Sequence, residues 1–495
     1  MSRLTIDPGT RELIRELLAF FEARGTEAYA AGGFLRDGLL GVRARDIDLA
    51  ISGDPFVLGR ELADVLSGAF VELDLGRKHA RIVLSEGDAV IDLTPFDGTI
   101  EDDLRRRDYT IDALGARLAD TLAEETHVID PTGGLADLDA RLVRATSEEA
   151  LRADPLRPLR GARIAAQLGF ELEPVTREMV ERLAPTVSDA APERQREELM
   201  RVFAAPLAGR GVRLLEELGL LAVVLPELDV TRGVEQPKEH TYDVFGHCLT
   251  AVEKLDVLLA DEEPDGEVDG RLWRELWSAL GWWSGGHEYM RAPVVMGTPR
   301  GALLKFCGLL HDIGKPATKT FEESGRMRFF GHSDVGAEMA VSLMRRLRFS
   351  GREIDIVRRM IEAHLRPVQM AQERVPSKRA VYKFFRDTGG AGIDTLFLSL
   401  ADHLATVGPD INWNGYRAHV AVTGHILRTY FEDERVTAPP KLLSGEDLMA
   451  EFGLEPGPLL GELLEAVREA VATGEVRTRE DALALARERL AARSV

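Results

Sequence analysis

The chain has 495 residues, of which 45% are hydrophobic and 29% charged, and its formal net charge is −21. That length exceeds what one hydrophobic core can fill, so we expect two to four domains, and the acidic balance argues against indiscriminate binding to nucleic acid, where phosphate contacts dominate the affinity. No apolar run reaches the roughly 18–20 residues of a membrane span, the N-terminus is polar and only two cysteines occur, so we expect a cytoplasmic protein that makes no membrane contact.

Helices and short strands alternate up to about residue 145. The segment RELIRELLAFFEARG (11–25) has the spacing of an amphipathic helix that ends at Gly25. Five runs bounded by turn residues are predicted as strands, namely EAYAAGG, RDIDLAI, FVELDL, RIVLSE and AVIDLTPF. From about residue 147 onward the pattern is almost entirely helical. The predicted fold class is therefore α+β, with a small mixed β-sheet and its helices followed by an all-α body.

The stretch GGFLRDGLLGVRARDIDLAI (32–51) places two aspartates one residue apart on a predicted strand. Side chains of a strand alternate between its faces, so Asp46 and Asp48 point one way while Ile47 and Leu49 point the other. Two neighbouring carboxylates repel each other and lose hydration, which is costly unless a positive charge lies between them. A divalent metal is the obvious candidate.

The residues around this pair suit a nucleoside triphosphate. Gly32 and Gly33 follow a strand, where backbone amides approach a phosphate without a Cβ in the way. Arg36 adds a charged contact. Asp92 in VIDLTP is placed to be a third acid on a neighbouring strand, as chemistry with two metal ions requires.

The spacing GG-x-x-RD, then eight residues, then D-x-D-L, resembles the class II tRNA nucleotidyltransferases and bacterial poly(A) polymerases of the polymerase-β superfamily. Further motifs extend the resemblance in order: EDDLRRRDYTIDAL (101–114), DPTGGLADLDARLVRA (130–145), ADPLRPLRGARIAAQLGF (153–170) and ERQREELMRVF (193–203). The resemblance implies a nucleotidyltransferase head with Asp46, Asp48 and Asp92 as catalytic residues and Mg²⁺ as its metal. It also implies that CTP, ATP and the tRNA 3′ end are the substrates.

The same resemblance implies that Arg107 and Asp108 contact the sugar of the incoming nucleotide, and that residues 153–170 form a nucleotide-selecting helix. Asp154 and Arg157 are three residues apart, which places them on one face of a helix. A carboxylate accepts from the exocyclic amine of cytosine or adenine and a guanidinium donates to the adjacent ring acceptor, so side chains replace a template. The nucleotide-binding candidates are Gly32, Gly33, Arg36, Asp37, Arg107, Asp108, Asp154, Arg157 and Arg160.

Three features depart from the family pattern. Ala153 precedes Asp154 where the family usually has Glu, and Asp112 stands where it often has Asn. Only DGTI separates DLTPF from EDDLRRRD, where many relatives carry a longer flexible loop linked to the switch from adding C to adding A. This short connection makes a CC-adding specialist an alternative to an enzyme that adds the whole CCA end.

A second set of residues lies in the helical body. The segment LLHDIGKPATK (309–319) carries adjacent His311 and Asp312, and further histidines and an aspartate surround it in the sequence. The order H…HD…H…H…D resembles the HD phosphohydrolase superfamily, with every metal position filled. In the form of that site with one metal, the implied ligands are His247, His311, Asp312 and Asp402. His332 and His364 would hold a second ion or contact phosphate.

Imidazole and carboxylate ligands suit Mn²⁺, Ni²⁺, Mg²⁺ or Fe²⁺ at this second site. A bound metal supports hydrolysis of phosphoesters, and the resemblance suggests 2′,3′-cyclic phosphate and 2′-nucleotide substrates. Lys315 is a candidate phosphate contact. The alternative is an inactive scaffold that only supports the tRNA.

The predicted domains are a nucleotidyltransferase head (1–145), a helical neck (146–230), an HD domain (231–430) and a C-terminal helical element (431–495). The ends of the C-terminal helices are candidate contacts for tRNA phosphates, and plain helix capping is the alternative. A tryptophan-rich insertion near 261–300 is expected to pack against its host domain rather than to stack on bases.

Alternative functions remain open at this point. They are a poly(A) polymerase, an HD hydrolase whose head is a regulatory nucleotide-binding module, and a purely structural RNA-binding protein. A homodimer is likewise an open alternative to a monomer.

Overall fold

The computed structural model describes residues 3–42, 46–74, 76, 78–84, 89–295, 297–371 and 375–492. Contacts divide the chain into two compact units, one of Met1–Ala191 with Leu214–Val224 and the other of Pro192–Arg213 with Leu225–Val495. The division into four domains is finer than this and stays a prediction. Four positions of the predicted strands, Arg45, Leu75, Ser85 and Glu86, lie outside the described residues.

The first unit holds a sheet and its flanking helices. Its regular elements are α1 (Pro8–Glu22), β1 (Ala28–Ala31), α2 (Gly33–Leu39), β2 (Asp46–Ile51), α3 (Pro55–Val65), β3 (Ala69–Asp74), β4 (His79–Val83), β5 (Val90–Pro95), α4 (Ile100–Arg105), β6 (Gly115–Arg117), α5 (Gly134–Asp139), β7 (Leu142–Val143), α6 (Glu148–Arg152), α7 (Arg157–Leu168), β8 (Glu171–Leu172) and α8 (Pro174–Leu183). Short 3₁₀ turns lie at Thr110–Asp112, Leu118–Leu122 and Ala184–Asp189. The five predicted strands correspond to β1–β5.

The order of strands in the sheet is β3-β4-β5-β2-β1-β6. Only β2 and β5 run parallel, and the other neighbours are antiparallel, so the sheet is mixed as predicted. Helix α1 begins where the side chain of Asp7 accepts hydrogen bonds from the backbone N–H groups of Gly9 and Thr10. After α1 the chain turns at Gly25, whose φ is +62°.

A glycine in helix α7 allows close packing against Tyr109, which lies about fifty residues earlier in the chain. The hydroxyl of Tyr109, a fully buried residue, donates a hydrogen bond of 2.8 Å to the backbone carbonyl of Arg157. A Cβ at Gly161 would lie 2.0 Å from that hydroxyl oxygen. Only glycine therefore allows this approach.

Replacing Gly161 by alanine is expected to lower the free energy of unfolding by about 1–3 kcal/mol, the usual cost of overpacking a close contact. Gly9→Ala in the first turn of α1 is the matched control, because its Cβ would lie 3.4 Å from the nearest atom. Denaturant unfolding of both variants measures the difference. Equal stabilities would contradict the contact with Tyr109.

Three helices follow the first 191 residues, namely α9 (Pro192–Phe203), α10 (Ala208–Glu217) and α11 (Leu220–Val224). Helix α9 belongs to the second unit and α11 to the first, and the division between the units falls within α10. In its described residues, the rest of the second unit consists of helices, two short hairpins and the loops between them. Its elements are α12 (Val244–Leu258), α13 (Glu267–Leu280), α14 (Gly286–Arg291), β9 (Pro293–Val295), β10 (Thr298–Pro299), α15 (Arg300–Leu310), α16 (Lys315–Thr318), β11 (Thr320–Phe321), β12 (Met327–Arg328), α17 (His332–Arg346), α18 (Gly351–Ala363), α19 (Arg366–Ala371), α20 (Lys378–Thr388), α21 (Gly392–Val407), α22 (Trp413–Glu432), α23 (Glu434–Thr437), α24 (Gly445–Phe452), α25 (Pro458–Thr473) and α26 (Arg479–Ala491). Two 3₁₀ turns lie at Pro226–Thr231 and Gly389–Ala391.

The tryptophan-rich segment packs against its own unit, as predicted. The indole N–H of Trp273 donates to the carbonyl of Ala260, and that of Trp277 donates to Leu258. The ring of Trp277 stacks on His287 with centroids 3.9 Å apart. Within the described residues, no helix is both long and apolar enough to cross a membrane.

Candidate active sites

Asp46 and Asp48 lie on β2, an interior strand of the sheet between β5 and β1. Ile47 and Leu49 are each 1% exposed, whereas Asp46 is exposed and Asp48 half-buried. The alternation predicted from the sequence is therefore present, and the carboxylates share the face that is not packed into the core.

Asp92 on β5 pairs directly with Asp48 in the parallel register, and Arg81 on β4 pairs with Asp92 from the other side. The guanidinium of Arg81 holds both oxygens of Asp92 through Nε and Nη2, each at 2.7 Å. Burial alone would raise the pKa of Asp92, but the hydrogen bonds of Arg81, together with the nearby imidazole of His79 at 3.8 Å, lower it to about 2. Asp92 is therefore ionised at neutral pH.

The pKa of Asp48 is shifted in the opposite direction from that of Asp92. Burial and the charge of Asp92 raise the pKa of Asp48 to about 6. A carboxyl group whose ionised form is disfavoured by neighbouring acids gains most from a bound cation, and carboxylate oxygens are the ligands that Mg²⁺ prefers. The acids on β2 and β5 therefore fit a hard divalent metal.

A glycine brings the backbone close to these acids. Gly32 has φ +67°, and a Cβ there would lie 2.8 Å from Nη1 of Arg107 and 3.2 Å from Oδ2 of Asp48. Any larger residue would be strained and would collide with both side chains. Gly32 thus lies between Arg107 and Asp48. The predicted phosphate contact at Gly32 and the predicted sugar contact at Arg107 therefore both lie beside a predicted metal ligand.

Arg36, the predicted triphosphate contact, is buried between two acids. Its Nε lies 2.8 Å from Asp37 and its Nη1 lies 2.6 Å from Asp112. Burial opposes the charge of Arg36, but these two carboxylates raise its pKa above the ordinary value. Asp112, which stands where the family often has Asn, is therefore one of the two ion-pair partners of Arg36.

The predicted selecting helix begins later than expected. Helix α7 starts at Arg157, and Asp154 lies in the preceding turn, where it is 1% exposed and accepts the N–H of Leu156 at 3.1 Å. The prediction that Asp154 and Arg157 occupy one helical face is therefore wrong. Pro155 explains the difference, because the residue before a proline disfavours helical backbone angles.

Helix α7 is tied to the predicted sugar-binding element. Nη1 of Arg160 lies 3.0 Å from Oδ2 of Asp108, which is buried. Burial opposes the ionised form of Asp108, but Arg160 and Arg157 hold its pKa below the ordinary value. This ion pair therefore fixes the position of Asp108 relative to α7.

The second unit gathers the six predicted metal ligands. They come from five helices or helix ends: His247 on α12, His311 and Asp312 after α15, His332 at the start of α17, His364 at the end of α18 and Asp402 on α21. All six are buried.

Ligand atoms of His247, His311, Asp312 and Asp402 lie within 4.8 Å of one another, and so do those of Asp312, His332 and His364. Nε2 of His247 lies 3.0 Å from Asp402 and 3.3 Å from Asp312. Asp312 belongs to both groups, so it would contribute to any ion held by either group.

Backbone hydrogen bonds orient three of the imidazoles. Nδ1 of His311, His332 and His364 contacts the carbonyl oxygen three residues earlier, at 2.9, 2.7 and 2.6 Å respectively. If Nδ1 carries the proton, Nε2 has a free lone pair for a metal. Burial in this cluster lowers the pKa of His364 to about 4, which also favours the neutral form that binds metals.

Two buried polar atoms of the cluster have no hydrogen-bond partner in the described part of the chain, which also favours a bound divalent metal. Oδ1 of Asp312 and Nε2 of His332 lie 3.4 Å apart, and both are buried polar atoms without a hydrogen bond. Buried polar atoms are normally paired, and a shared cation satisfies both. Lys315 lies at the edge of the cluster, with Nζ 2.6 Å from Asp312 Oδ2 and 2.7 Å from Gln236.

The sequence did not predict two residues that contact the candidate sites, Arg81 and His240. Arg81 pairs with Asp92 only through the register of β4 and β5, which no local pattern reveals. His240 lies against the metal cluster, with its ring centroid 5.5 Å from that of His247. A single histidine in a loop gave no signal of its own.

The mixed sheet with acids on adjacent parallel strands is the arrangement of a nucleotidyltransferase head, and the helical unit adds an HD-type cluster. Family models match in the same order. They are the poly A polymerase head domain (28–98 and 95–144), a "Probable RNA and SrmB-binding site of polymerase A" (169–231), the HD domain (283–407) and tRNA nucleotidyltransferase domain 2 (422–486).

Two relatives align over nearly the whole chain. An A-adding tRNA nucleotidyltransferase of Deinococcus radiodurans is 36% identical over 92% of this chain and 94% of its own length. A CC-adding tRNA nucleotidyltransferase of Thermus thermophilus is also 36% identical, over 92% of each chain. The structure of the Thermotoga maritima CCA-adding enzyme with tRNA shares the fold, with a TM-score of 0.53, 18% identity and coverage of 98% and 97%. The chain belongs to the tRNA nucleotidyltransferase family, a family of enzymes.

Proposed function

We propose that this protein transfers CMP or AMP from CTP or ATP to the 3′ end of tRNA without a nucleic-acid template. The 3′-hydroxyl oxygen of the tRNA attacks the α-phosphorus, the bond between that phosphorus and the bridging oxygen to the β-phosphate breaks, and pyrophosphate leaves. The observation that carries the proposal is the register of Asp48 on β2 with Asp92 on β5, next to Asp46, within a chain of this family.

The residues of the first unit take the following roles in this proposal. Asp46 and Asp48 hold Mg²⁺, with Asp92 as the third acid. When bound, Mg²⁺ supplies charge to stabilise the phosphates during transfer. The backbone at Gly32 and Gly33 and the side chains of Arg36, Asp37, Arg107 and Asp108 position the nucleotide, and Asp154, Arg157 and Arg160 select its base. Catalysis comes mainly from positioning and electrostatic stabilisation.

Arg81 is expected to keep Asp92 ionised during this reaction. In Arg81→Met the positive charge that acts on both Asp92 and Asp48 is lost, so the pKa values of both carboxyls rise. Protons then compete with Mg²⁺ at higher pH, and the acidic limb of the pH–rate profile, which Asp48 governs, moves up by about one unit. Arg81→Lys should move it less, since a cation remains. Initial rates of nucleotide addition across the acidic range measure the shift.

Arg60→Met is the control, because Arg60 pairs with Glu72 on the surface of the same unit. Its pH–rate profile should match that of the unmodified protein. A profile for Arg81→Met that keeps its position would contradict the role of Arg81.

The short segment 96–99 between β5 and α4 favours a specialist that adds CC. Its support is the association of a longer loop at this place with the switch from C to A in the family. The A-adding and CC-adding relatives are equally similar to this chain, so overall identity favours neither specificity.

A tRNA transcript without its CCA end, compared with an unstructured RNA of the same length, separates this function from that of a poly(A) polymerase. With CTP and ATP present, we expect one to three nucleotides on the tRNA and none on the other RNA. A long A tail on the unstructured RNA would instead assign the chain to the poly(A) polymerases.

A metal-dependent phosphohydrolase activity in the second unit is the second candidate function. The observation that favours it is the buried cluster around Asp312, in which two groups of ligand atoms share one carboxylate. The substrates proposed are 2′,3′-cyclic phosphates and 2′-nucleotides, and water adds to phosphorus as a phosphorus–oxygen ester bond breaks. The metal, when bound, lowers the pKa of a water and polarises a phosphoryl oxygen, and Lys315 lies where it can contact the phosphate.

A further inference from the structure

Two exposed phenylalanines lie on one short hairpin of the second unit. Phe321 at the end of β11 is 65% exposed, and Phe330, just after β12, is 72% exposed. Among the aromatic residues that the structure describes, no other is more than half exposed. Phenylalanine is among the residues most often buried, so two such rings on one hairpin indicate a binding surface.

The hairpin is anchored to the metal cluster. Nδ1 of His332 contacts the carbonyl oxygen of Phe329 at 2.7 Å, and Nζ of Lys315 lies 5.7 Å from the centre of the Phe329 ring. Phe330 precedes His332 by two residues, so their Cα atoms are at most about 7 Å apart. A phosphate at His332 or Lys315 would therefore place the rest of a nucleotide within reach of the Phe330 ring.

Cationic side chains accompany both rings. Nζ of Lys319 lies 5.9 Å from the centre of the Phe321 ring. The guanidinium carbon of Arg328 lies 5.9 Å from the centre of the Phe330 ring, and Nε of Arg328 also pairs with Glu322 at 2.8 Å, so a phosphate would replace that carboxylate. Aromatic rings next to cations match the two parts of a nucleotide, because bases stack on the rings and phosphates pair with the cations. A surface for a protein partner would require the rings but not these cations.

We propose that this hairpin stacks the nucleobase of the substrate whose phosphate the cluster hydrolyses. The inference rests on the phosphohydrolase activity proposed above and adds to it a binding surface for the base of those substrates, in addition to the site that binds their phosphate. Phe330 and Phe321 are then determinants of specificity that bind substrate away from the reacting atoms.

The test compares Phe330→Ala, Phe321→Ala and the double variant on two substrates. One is 2′,3′-cyclic AMP, and the other is glycerol 1,2-cyclic phosphate, which has the cyclic ester without a base. We expect KM for 2′,3′-cyclic AMP to rise about 10-fold in Phe330→Ala, as loss of a stacked base predicts, with kcat nearly unchanged. Kinetics on the glycerol ester should stay the same, and Phe330→Trp should restore the KM.

Val375→Ala is the control, because Val375 is 66% exposed in the same unit and lies outside the hairpin. An unchanged KM in the variants, with hydrolysis intact, overturns the stacking role and leaves the hairpin as a surface for a protein partner. Equal losses on both substrates overturn it as well, since they indicate a structural effect. If the unmodified protein hydrolyses neither ester, the phosphohydrolase activity itself fails, and the inference fails with it.

Discussion

Asp48→Asn is expected to abolish nucleotide addition to tRNA, with a fall of about a thousandfold or more. The amide keeps the shape of the side chain but removes the charge that holds Mg²⁺, and each 1.4 kcal/mol of lost transition-state stabilisation lowers the rate tenfold. Single-turnover addition of CMP to a trimmed tRNA measures the loss. Hydrolysis of 2′,3′-cyclic AMP should be unaffected, because that activity is assigned to the other unit.

Asp64→Asn is the matched control, since Asp64 is an exposed carboxylate on α3. It should add nucleotides at the rate of the unmodified protein. Full activity in Asp48→Asn would refute the assignment of the metal site. It would also revive the alternative in which the head is only a regulatory nucleotide-binding module.

Asp312→Asn is expected to remove phosphohydrolysis while sparing nucleotide addition. Asp312 contributes to both groups of ligand atoms in the cluster, so its loss weakens every ion that the cluster would hold. The rate of hydrolysis should fall by about a thousandfold, since a bound metal stabilises the transition state by several kcal/mol. The purified variant should also contain less metal by elemental analysis.

The exposed Asp334 on α17 provides the control Asp334→Asn, which should keep both the metal and the activity. Undiminished hydrolysis in Asp312→Asn would place that activity elsewhere. Loss of both activities together, with a lower melting temperature, would indicate a folding defect rather than a catalytic role.

The patterns that depend on local sequence predicted the structure well. Alternating side chains on β2 are a property of neighbouring residues, so the exposure of Asp46 and the burial of Ile47 could be read from the sequence. The six predicted ligands of the second unit were proposed from the order of their residue types. Their convergence into two groups, each within 4.8 Å, depends on the packing of five segments, which the sequence implies only through the resemblance.

The predictions failed where a proline changes the local backbone, or where a contact joins residues that are far apart in the sequence. Asp154 leaves the helix because Pro155 follows it, a signal that was present in the sequence and was outweighed by the motif. The bidentate contact of Arg81 with Asp92 joins two neighbouring strands of the sheet. Its existence follows from the register of β4 and β5, and register is set by the tertiary fold.

The most direct test of the proposed transferase uses three tRNA transcripts, which end at the discriminator base, at C and at CC. Each is incubated with Mg²⁺ and with CTP, ATP or both, and the products are sized at single-nucleotide resolution. We expect the first transcript to gain two C residues from CTP alone and the CC transcript to gain no A. A complete CCA end would keep the transferase assignment and contradict only the specialist. If none of the transcripts is extended, the transferase assignment itself is wrong.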